Sequence, residues 1–119
     1  MREPSTLAAK RAAYQQALEE ALRRIVGRLA EMPEVHKAVL FGSYAQGRRD
    51  LFTDIDLIVV MDSDLDFIQR SALLRQRFRA GVDLDLFVYT PQEFERMAGG
   101  AFLRHALSTG KVIYEKKSP

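Results

Sequence analysis

Three short apolar segments rich in β-branched residues constrain the fold more than any other feature of this sequence. They are VHKAVLF (35–41), DIDLIVVM (54–61) and VDLDLFVY (82–89), and each has the length and composition of a strand. Apolar residues at steps of three and four predict an amphipathic helix over about 5–31 and a second helix over about 65–79. Strands that alternate with helices predict an α/β (α+β) single domain in which helices flank a small sheet.

The segments after the third strand predict shorter elements. TPQEF (90–94) has the pattern of a capping box, in which Thr90 and Glu93 satisfy each other's backbone amides at the start of a helix. AFLRHALSTG (101–110) predicts another helix, and its final glycine is a stop signal. KVIYE (111–115) is a last short strand or an extended tail. We find no repeat or linker, so we treat 1–119 as one domain.

Composition excludes several kinds of site. The chain has no cysteine, which excludes disulfides and thiolate metal sites. Its two histidines lie far apart in sequence, so a bound metal would be held by carboxylates, which favours Mg²⁺ or Mn²⁺. The sequence has no apolar run of about eighteen residues and no signal-peptide core at its N-terminus, so we expect no membrane partner and a cytoplasmic location.

Acidic residues recur with strand periodicity in two of the apolar segments. Asp54 and Asp56 share one face of the second segment, and two neighbouring carboxylates repel each other unless a divalent cation is bound. Asp83 and Asp85 share a face of the third segment, so one of them can complete a cluster of three carboxylates if the two strands are neighbours. Such a cluster can hold two metal ions about 4 Å apart, an arrangement that serves phosphoryl or nucleotidyl transfer.

A Gly-Ser pair precedes the acidic segment. Gly42 and Ser43 lie where the first strand ends, and 42–47 has room for only one or two helical turns. Amides at a helix start bind phosphate, glycine allows a close approach, and the Ser43 hydroxyl can donate to a phosphate oxygen. We therefore predict that this turn holds a triphosphate while the aspartates hold its metal ions.

The segment GSYAQGRRDLFTDIDLIVV resembles the signature of the minimal nucleotidyltransferases, the small stand-alone branch of the DNA polymerase β superfamily. Their pattern is Gly-Ser, ten residues, Asp-x-Asp, and a later strand with one more Asp. DLFVYTPQEF (85–94) resembles that later strand and the turn after it, and FLRHALSTGKVIYE resembles the family's tail. The similarity covers about 35–115, and it implies a polymerase β-like fold with a mixed sheet and a catalytic core over that range.

The resemblance also implies roles for individual residues. Gly42 and Ser43 would bind the nucleotide phosphates, Asp54 and Asp56 would bind metal, and Asp85 would be the third carboxylate. Two Mg²⁺ (or Mn²⁺) ions are the implied cofactors, and ATP is the implied nucleotide donor.

The activity implied by the resemblance is the transfer of a nucleoside monophosphate, with AMP from ATP as the first expectation, to an acceptor hydroxyl. Members of the family are often paired with a helical HEPN-domain protein, as antitoxin to its toxin, and some add AMP to that partner. The expected partners are therefore a nucleoside triphosphate and a HEPN-domain protein, with a second copy of the chain as another source of a completed site. The alternative is a non-catalytic antitoxin that neutralises a HEPN ribonuclease by contact.

Four further positions carry weaker expectations. Gln46 stands where many family members have Arg, and either Arg48 or Arg49 could replace the lost phosphate contact or form a solvated pair. Tyr14, on the first predicted helix, is expected to be a core or interface residue. The isoelectric point near 9.1 is the only feature that favours nucleic-acid binding, so we rank that function last.

Overall fold

The computed structural model describes residues 6–117, which form a layered α/β (α+β) domain around a small mixed sheet, as predicted. Within this range, no helix is both long and apolar enough to cross a bilayer. The elements in chain order are α1 (Leu7–Ala30), β1 (Val35–Phe41), α2 (Gly42–Ala45), β2 (Ile55–Met61), α3 (Phe67–Phe78), β3 (Leu84–Tyr89), α4 (Pro91–Met97), α5 (Ala101–Thr109) and β4 (Lys111–Glu115).

The sheet has the strand order β3-β2-β1-β4. β1 is antiparallel to both β2 and β4, whereas β2 and β3 are parallel. The C-terminal end of β1 therefore lies on the same side of the sheet as the N-terminal ends of β2 and β3; this side, formed by strand ends, is called the edge below. KVIYE, which the sequence left open as a strand or a tail, is an outermost strand of the sheet and pairs with β1.

Both faces of the sheet are covered by helices. α1 and α3 pack on one face, and the larger core lies between them and the sheet. α5 packs on the other face, where Phe94 of α4 also contacts the smaller core. Each fully buried aliphatic side chain contributes roughly 1.5–3 kcal/mol to folding. The buried residues of the smaller core are Val39, Ile58, Val60, Tyr89, Leu103 and Ala106.

Capping interactions fix the starts of the helices. The predicted box at the start of α4 is present: the Thr90 hydroxyl accepts from the Glu93 amide at 3.2 Å, and the Glu93 carboxylate accepts from the Thr90 amide at 2.9 Å. Thr6 caps α1 by accepting from the Ala9 amide at 3.1 Å. The start predicted for this helix, near residue 5, lies outside the described residues.

The boundary between α3 and β3 differs from the prediction. The sequence predicted a helix that Gly81 stops, followed by a strand from residue 82, but α3 ends at Phe78 and β3 begins at Leu84. Arg79 takes the left-handed cap position, with φ of 45°, that glycine usually occupies. The Arg24 guanidinium of α1 donates to the carbonyls of Arg79 (3.0 Å) and Ala80 (3.3 Å). These bonds hold the turn that ends α3 before Gly81.

A buried arginine links α3 to α4. The Arg70 side chain is 6% exposed, and its guanidinium binds both carboxylate oxygens of Glu93, at 2.5 and 3.1 Å. It also donates to the carbonyl oxygens of Leu65 and Val88. This bidentate pair lowers the pKa of Glu93 to about 2. Because Glu93 also belongs to the capping box, the pair fixes the start of α4 against the end of β3.

Candidate active site

Three carboxylates converge at the edge where β1 ends and β2 and β3 begin. Asp56 is the second residue of β2, Asp85 is the second residue of β3, and the two are direct partners in the parallel register. Asp54 lies just before β2, although the sequence placed it at the start of that strand. One carboxylate oxygen from each of Asp54, Asp56 and Asp85 lies within 4.8 Å of the others.

The fourth acidic residue of these segments lies outside the cluster. Asp83 precedes β3, its side chain is exposed, and its backbone carbonyl accepts from the Ile55 amide at 3.0 Å. That backbone bond begins the β2–β3 pairing, so it sets the register that brings Asp85 level with Asp56.

The cluster is electrostatically strained without a cation. Burial is the main cause that raises the pKa of Asp56, and the charge of Asp54 together with the hydrogen bond and charge of Asp85 raises it further, to about 7. Asp85 itself is exposed. Protonation of Asp56 therefore relieves the repulsion in the metal-free protein below about pH 7.

Gly42 lies against the cluster. It has φ of 77°, in the region that residues with a side chain rarely adopt. A methyl group added at this position would overlap a carboxylate oxygen of Asp56 and lie 3.0 Å from its carboxylate carbon. The turn that Gly42 and Ser43 form is therefore in contact with the acidic cluster, and only glycine satisfies both the conformation and the space.

The two arginines of the following loop make intramolecular contacts. The Arg48 guanidinium pairs with the Asp50 carboxylate at 2.6 Å. Arg49 stacks on the Tyr44 ring, 3.6 Å from its centroid, and donates to the Tyr44 carbonyl at 2.7 Å. Both cations thus stabilise the loop between α2 and β2. Gln46 is exposed at the C-terminal end of α2.

An aromatic cluster that the sequence analysis missed lies beside the carboxylates. Phe41 is the register partner of Asp56, and Phe87 follows Asp85 by two residues on the same face of β3. Phe102 of α5 packs on both rings, with centroid distances of 5.6 and 5.0 Å. These rings form an apolar wall next to the acidic edge. No sequence signal identifies the trio, because only the sheet register and the position of α5 bring it together.

The residues of the cluster fit a divalent cation. The set contains only carboxylate oxygens, which are the ligands that Mg²⁺ and Mn²⁺ prefer. Burial and the neighbouring carboxylates raise the pKa of Asp56, so a cation bound here would supply the opposite charge that favours its ionised form. Asp54, Asp56 and Asp85 would hold the cation.

A four-stranded mixed sheet with paired aspartates at one edge and a Gly-Ser turn in contact with them defines a nucleotidyltransferase of the polymerase β type. The family model for polymerase β nucleotidyltransferases matches residues 23–119, and the chain belongs to this family. The resemblance predicted from the sequence is therefore confirmed.

Individual relatives agree with this assignment. A protein of Methanocaldococcus jannaschii that is assigned as a protein adenylyltransferase is 30% identical over 98 residues, which cover 81% of this chain and 97% of that protein. The crystal structure of a toxin–antitoxin complex with AMP-PNP contains a chain that is 27% identical, with a TM-score of 0.58, over 81% of this chain and 74% of that one. A nucleotidyltransferase structure from Sulfolobus solfataricus, 15% identical with a TM-score of 0.54, shares the fold over 98% of this chain and 93% of that one.

Proposed function

We propose that this chain transfers AMP from ATP to a hydroxyl group of a protein partner. The observation that carries this proposal is the three-carboxylate cluster in contact with the Gly-Ser turn. The relatives support the donor and the reaction, because one is assigned as a protein adenylyltransferase and another was crystallised with the ATP analogue AMP-PNP.

The proposed roles follow from the positions of the residues. Ser43 and the backbone of Gly42 bind the β- and γ-phosphates, because this turn is the part of the edge that carries no negative side chain. Asp54, Asp56 and Asp85 are the ligands of two Mg²⁺ (or Mn²⁺) ions. When bound, the cations would neutralise triphosphate charge and make the α-phosphorus more electrophilic.

The proposed step is a displacement at the α-phosphorus. The acceptor hydroxyl oxygen forms a bond to this phosphorus, the bond from phosphorus to the oxygen that bridges to the β-phosphate breaks, and pyrophosphate leaves. Asp85 takes the proton of the attacking hydroxyl, because it is the exposed member of the cluster. The product is AMP joined to the acceptor through a phosphodiester bond.

The proposed acceptor is a HEPN-type toxin, with this chain as its antitoxin. The described residues form one small domain whose cluster opens to solvent at Asp85, so the acceptor must come from another molecule. Chains 27% identical to this one were crystallised in toxin–antitoxin complexes. We place the reaction in the cytoplasm, where ATP and Mg²⁺ are both supplied.

The test uses the purified chain, ATP, Mg²⁺ and a purified HEPN-domain toxin. We expect the intact mass of the HEPN protein to increase by one or more AMP groups, with release of pyrophosphate. The Asp56→Asn variant should add none, and the exposed Asp64→Asn variant should match the wild type. If the two proteins bind each other but no AMP is added, the chain is a binding antitoxin and the catalytic proposal is wrong.

A further inference from the structure

A hydroxyl from the first helix reaches the backbone next to the carboxylate cluster. The Tyr14 hydroxyl of α1 donates to the Thr53 carbonyl at 2.8 Å, across 39 residues of sequence. The Tyr14 ring is partly buried and packs against the larger core, which fixes where the hydroxyl points. Thr53 directly precedes Asp54, so this bond acts on the peptide unit that carries a cluster residue.

The segment held by this bond is otherwise a closed turn. Thr53 is fully buried, its hydroxyl accepts from the Asp50 amide at 3.0 Å, and its amide donates to the Asp50 carbonyl at 3.1 Å. The Asp50 carboxylate also accepts from the Thr53 hydroxyl and the Phe52 amide. These bonds fix the turn internally but do not fix it against the domain. The Tyr14 bond does, because it joins the end of the turn to α1.

The charges around the hydroxyl agree with this geometry. Burial raises the pKa of Tyr14, and the negative charges of Asp83 and Asp54 raise it further. The hydroxyl therefore keeps its proton and remains a donor at physiological pH.

We propose that Tyr14 is a positioning residue that holds the Thr53–Asp54 peptide unit so that the Asp54 carboxylate lies beside Asp56 and Asp85 before a cation binds. The inference rests on the proposed function, because it assumes that the cluster is a metal site. Asp54 lies in the turn before β2, and its C-terminal side is held by the bond from the Ile55 amide to the Asp83 carbonyl, so the Tyr14 bond supplies the hold on its N-terminal side. Asp56 and Asp85 receive theirs from their paired strands.

The informative variant is Tyr14→Phe, which keeps the ring and removes only the donor. We expect the affinity for Mn²⁺, measured by calorimetry on the nucleotide-free protein, to fall about tenfold, the lower end of what loss of an outer hydrogen-bond partner costs a metal site. At saturating Mn²⁺ the rate of AMP transfer should return to near the wild-type value, because Tyr14 touches neither substrate nor reacting atoms.

Two matched variants separate positioning from general destabilisation. Tyr114→Phe removes a hydroxyl from another tyrosine that packs against the same core. Ile25→Val removes a buried methylene group from α1 itself. We expect it to lower the free energy of unfolding about as much as Tyr14→Phe does. Both should bind Mn²⁺ as the wild type does, and hydrogen exchange of 50–54 should be faster only in Tyr14→Phe.

The outcomes are distinguishable. Unchanged Mn²⁺ affinity in Tyr14→Phe, or an equal loss in Ile25→Val, overturns the inference while the proposed function stands. A wild-type protein that binds no Mn²⁺ refutes the proposed function itself, and the inference falls with it.

Discussion

Replacing Asp56 by Asn should make the metal-free protein more stable, by an amount that depends on pH. The pKa of Asp56 rises from 3.8 to about 7 because of burial, the charge of Asp54, and the hydrogen bond and charge of Asp85. An Asn amide can donate to the Asp85 carboxylate without carrying a charge. The variant therefore keeps the hydrogen bond and loses the repulsion.

The direction of the pH effect follows from proton linkage. Below pH 3.8 Asp56 is protonated in the folded and unfolded states, so the substitution changes little. Between pH 3.8 and about 7 the folded protein keeps a proton that the unfolded chain has released, so wild-type stability falls as pH rises. Above about pH 7 the carboxylate is ionised in both states, and the full penalty is present.

The size of the effect is bounded by the same pKa. A rise from 3.8 to about 7 corresponds to at most about 4 kcal/mol, at about 1.4 kcal/mol per pKa unit. Asp56 is only partly buried, and solvent screens its interactions, so we expect about 1–2 kcal/mol at pH 8. In a domain of this size that raises the melting temperature by roughly 3–10 °C.

The assay is thermal or urea unfolding in chelator at pH 5 and pH 8, with the exposed Asp64→Asn variant as the matched control. The stability gain of Asp56→Asn should be larger at pH 8 than at pH 5, and Asp64→Asn should show none at either pH. Adding Mg²⁺ should stabilise the wild type more than Asp56→Asn. A variant that is less stable than the wild type at pH 8, or a gain that does not change with pH, would refute the electrostatic reasoning.

Three further substitutions test other parts of the structure. Gly42→Ala should lower the free energy of unfolding by at least about 1–2 kcal/mol, because Gly42 has a positive φ. It should also weaken Mg²⁺ binding, measured by calorimetry, because the added methyl group displaces the Asp56 carboxylate. The control Gly27→Ala has open space around it and should be neutral or stabilising in the same assays. Glu93→Gln should lower the free energy of unfolding by about 1–3 kcal/mol at pH 7. Urea unfolding should show this difference between variant and wild type decreasing as pH falls from 4.5 to about 2, because the wild-type carboxylate then becomes protonated as well. Asp85→Asn should abolish AMP transfer, whereas Asp83→Asn should keep at least about a tenth of the activity, a barrier change below about 1.4 kcal/mol; the reverse result would contradict the proposed ligand set.

Much of the fold could be predicted because the strands carry their own signal. Each of the three apolar segments forms a strand at nearly the expected bounds, since a short β-branched run between turns has few other stable states. The alternation within β2 was less informative. Ile58 and Val60 lie on the same face as Asp56 and are buried beneath α5. Both faces of β2 are therefore apolar after Asp56. Which helix covers which face depends on chain topology, and local pattern does not encode it.

The choice between Asp83 and Asp85 shows a second limit. Both share one face by periodicity, and only the parallel register of β2 and β3 brings Asp85 level with Asp56. Register is a long-range property, so residues alone left both candidates open, and the family resemblance selected Asp85. The structure brings Asp85 into the cluster and leaves Asp83 exposed outside it.

Side chains that act through contacts distant in sequence were the hardest to predict. Arg48 and Arg49 could have formed a phosphate-binding pair, but Arg48 pairs with Asp50 of the same loop and Arg49 stacks on the Tyr44 ring of α2. Tyr14 was expected in the core or at an interface, and its partly buried ring packs against the larger core, yet its hydroxyl contacts a residue 39 positions away. A hydrogen bond of this kind leaves no spacing in the sequence, because its two partners are joined only by the packing of α1 on the sheet.

The spacing of the Gly-Ser turn and the aspartates is itself a consequence of the topology. β1 and β2 are antiparallel neighbours, so the end of β1 and the start of β2 lie at the same edge, and a connection of any moderate length could join them. The ten residues between Ser43 and Asp54 do more than close this connection. They complete the one-turn α2 and form the turn closed by Asp50 and Thr53, which places Asp54 directly before β2. The glycine at the start of this connection and the Asp54 carboxylate at its end therefore both lie at the acidic cluster.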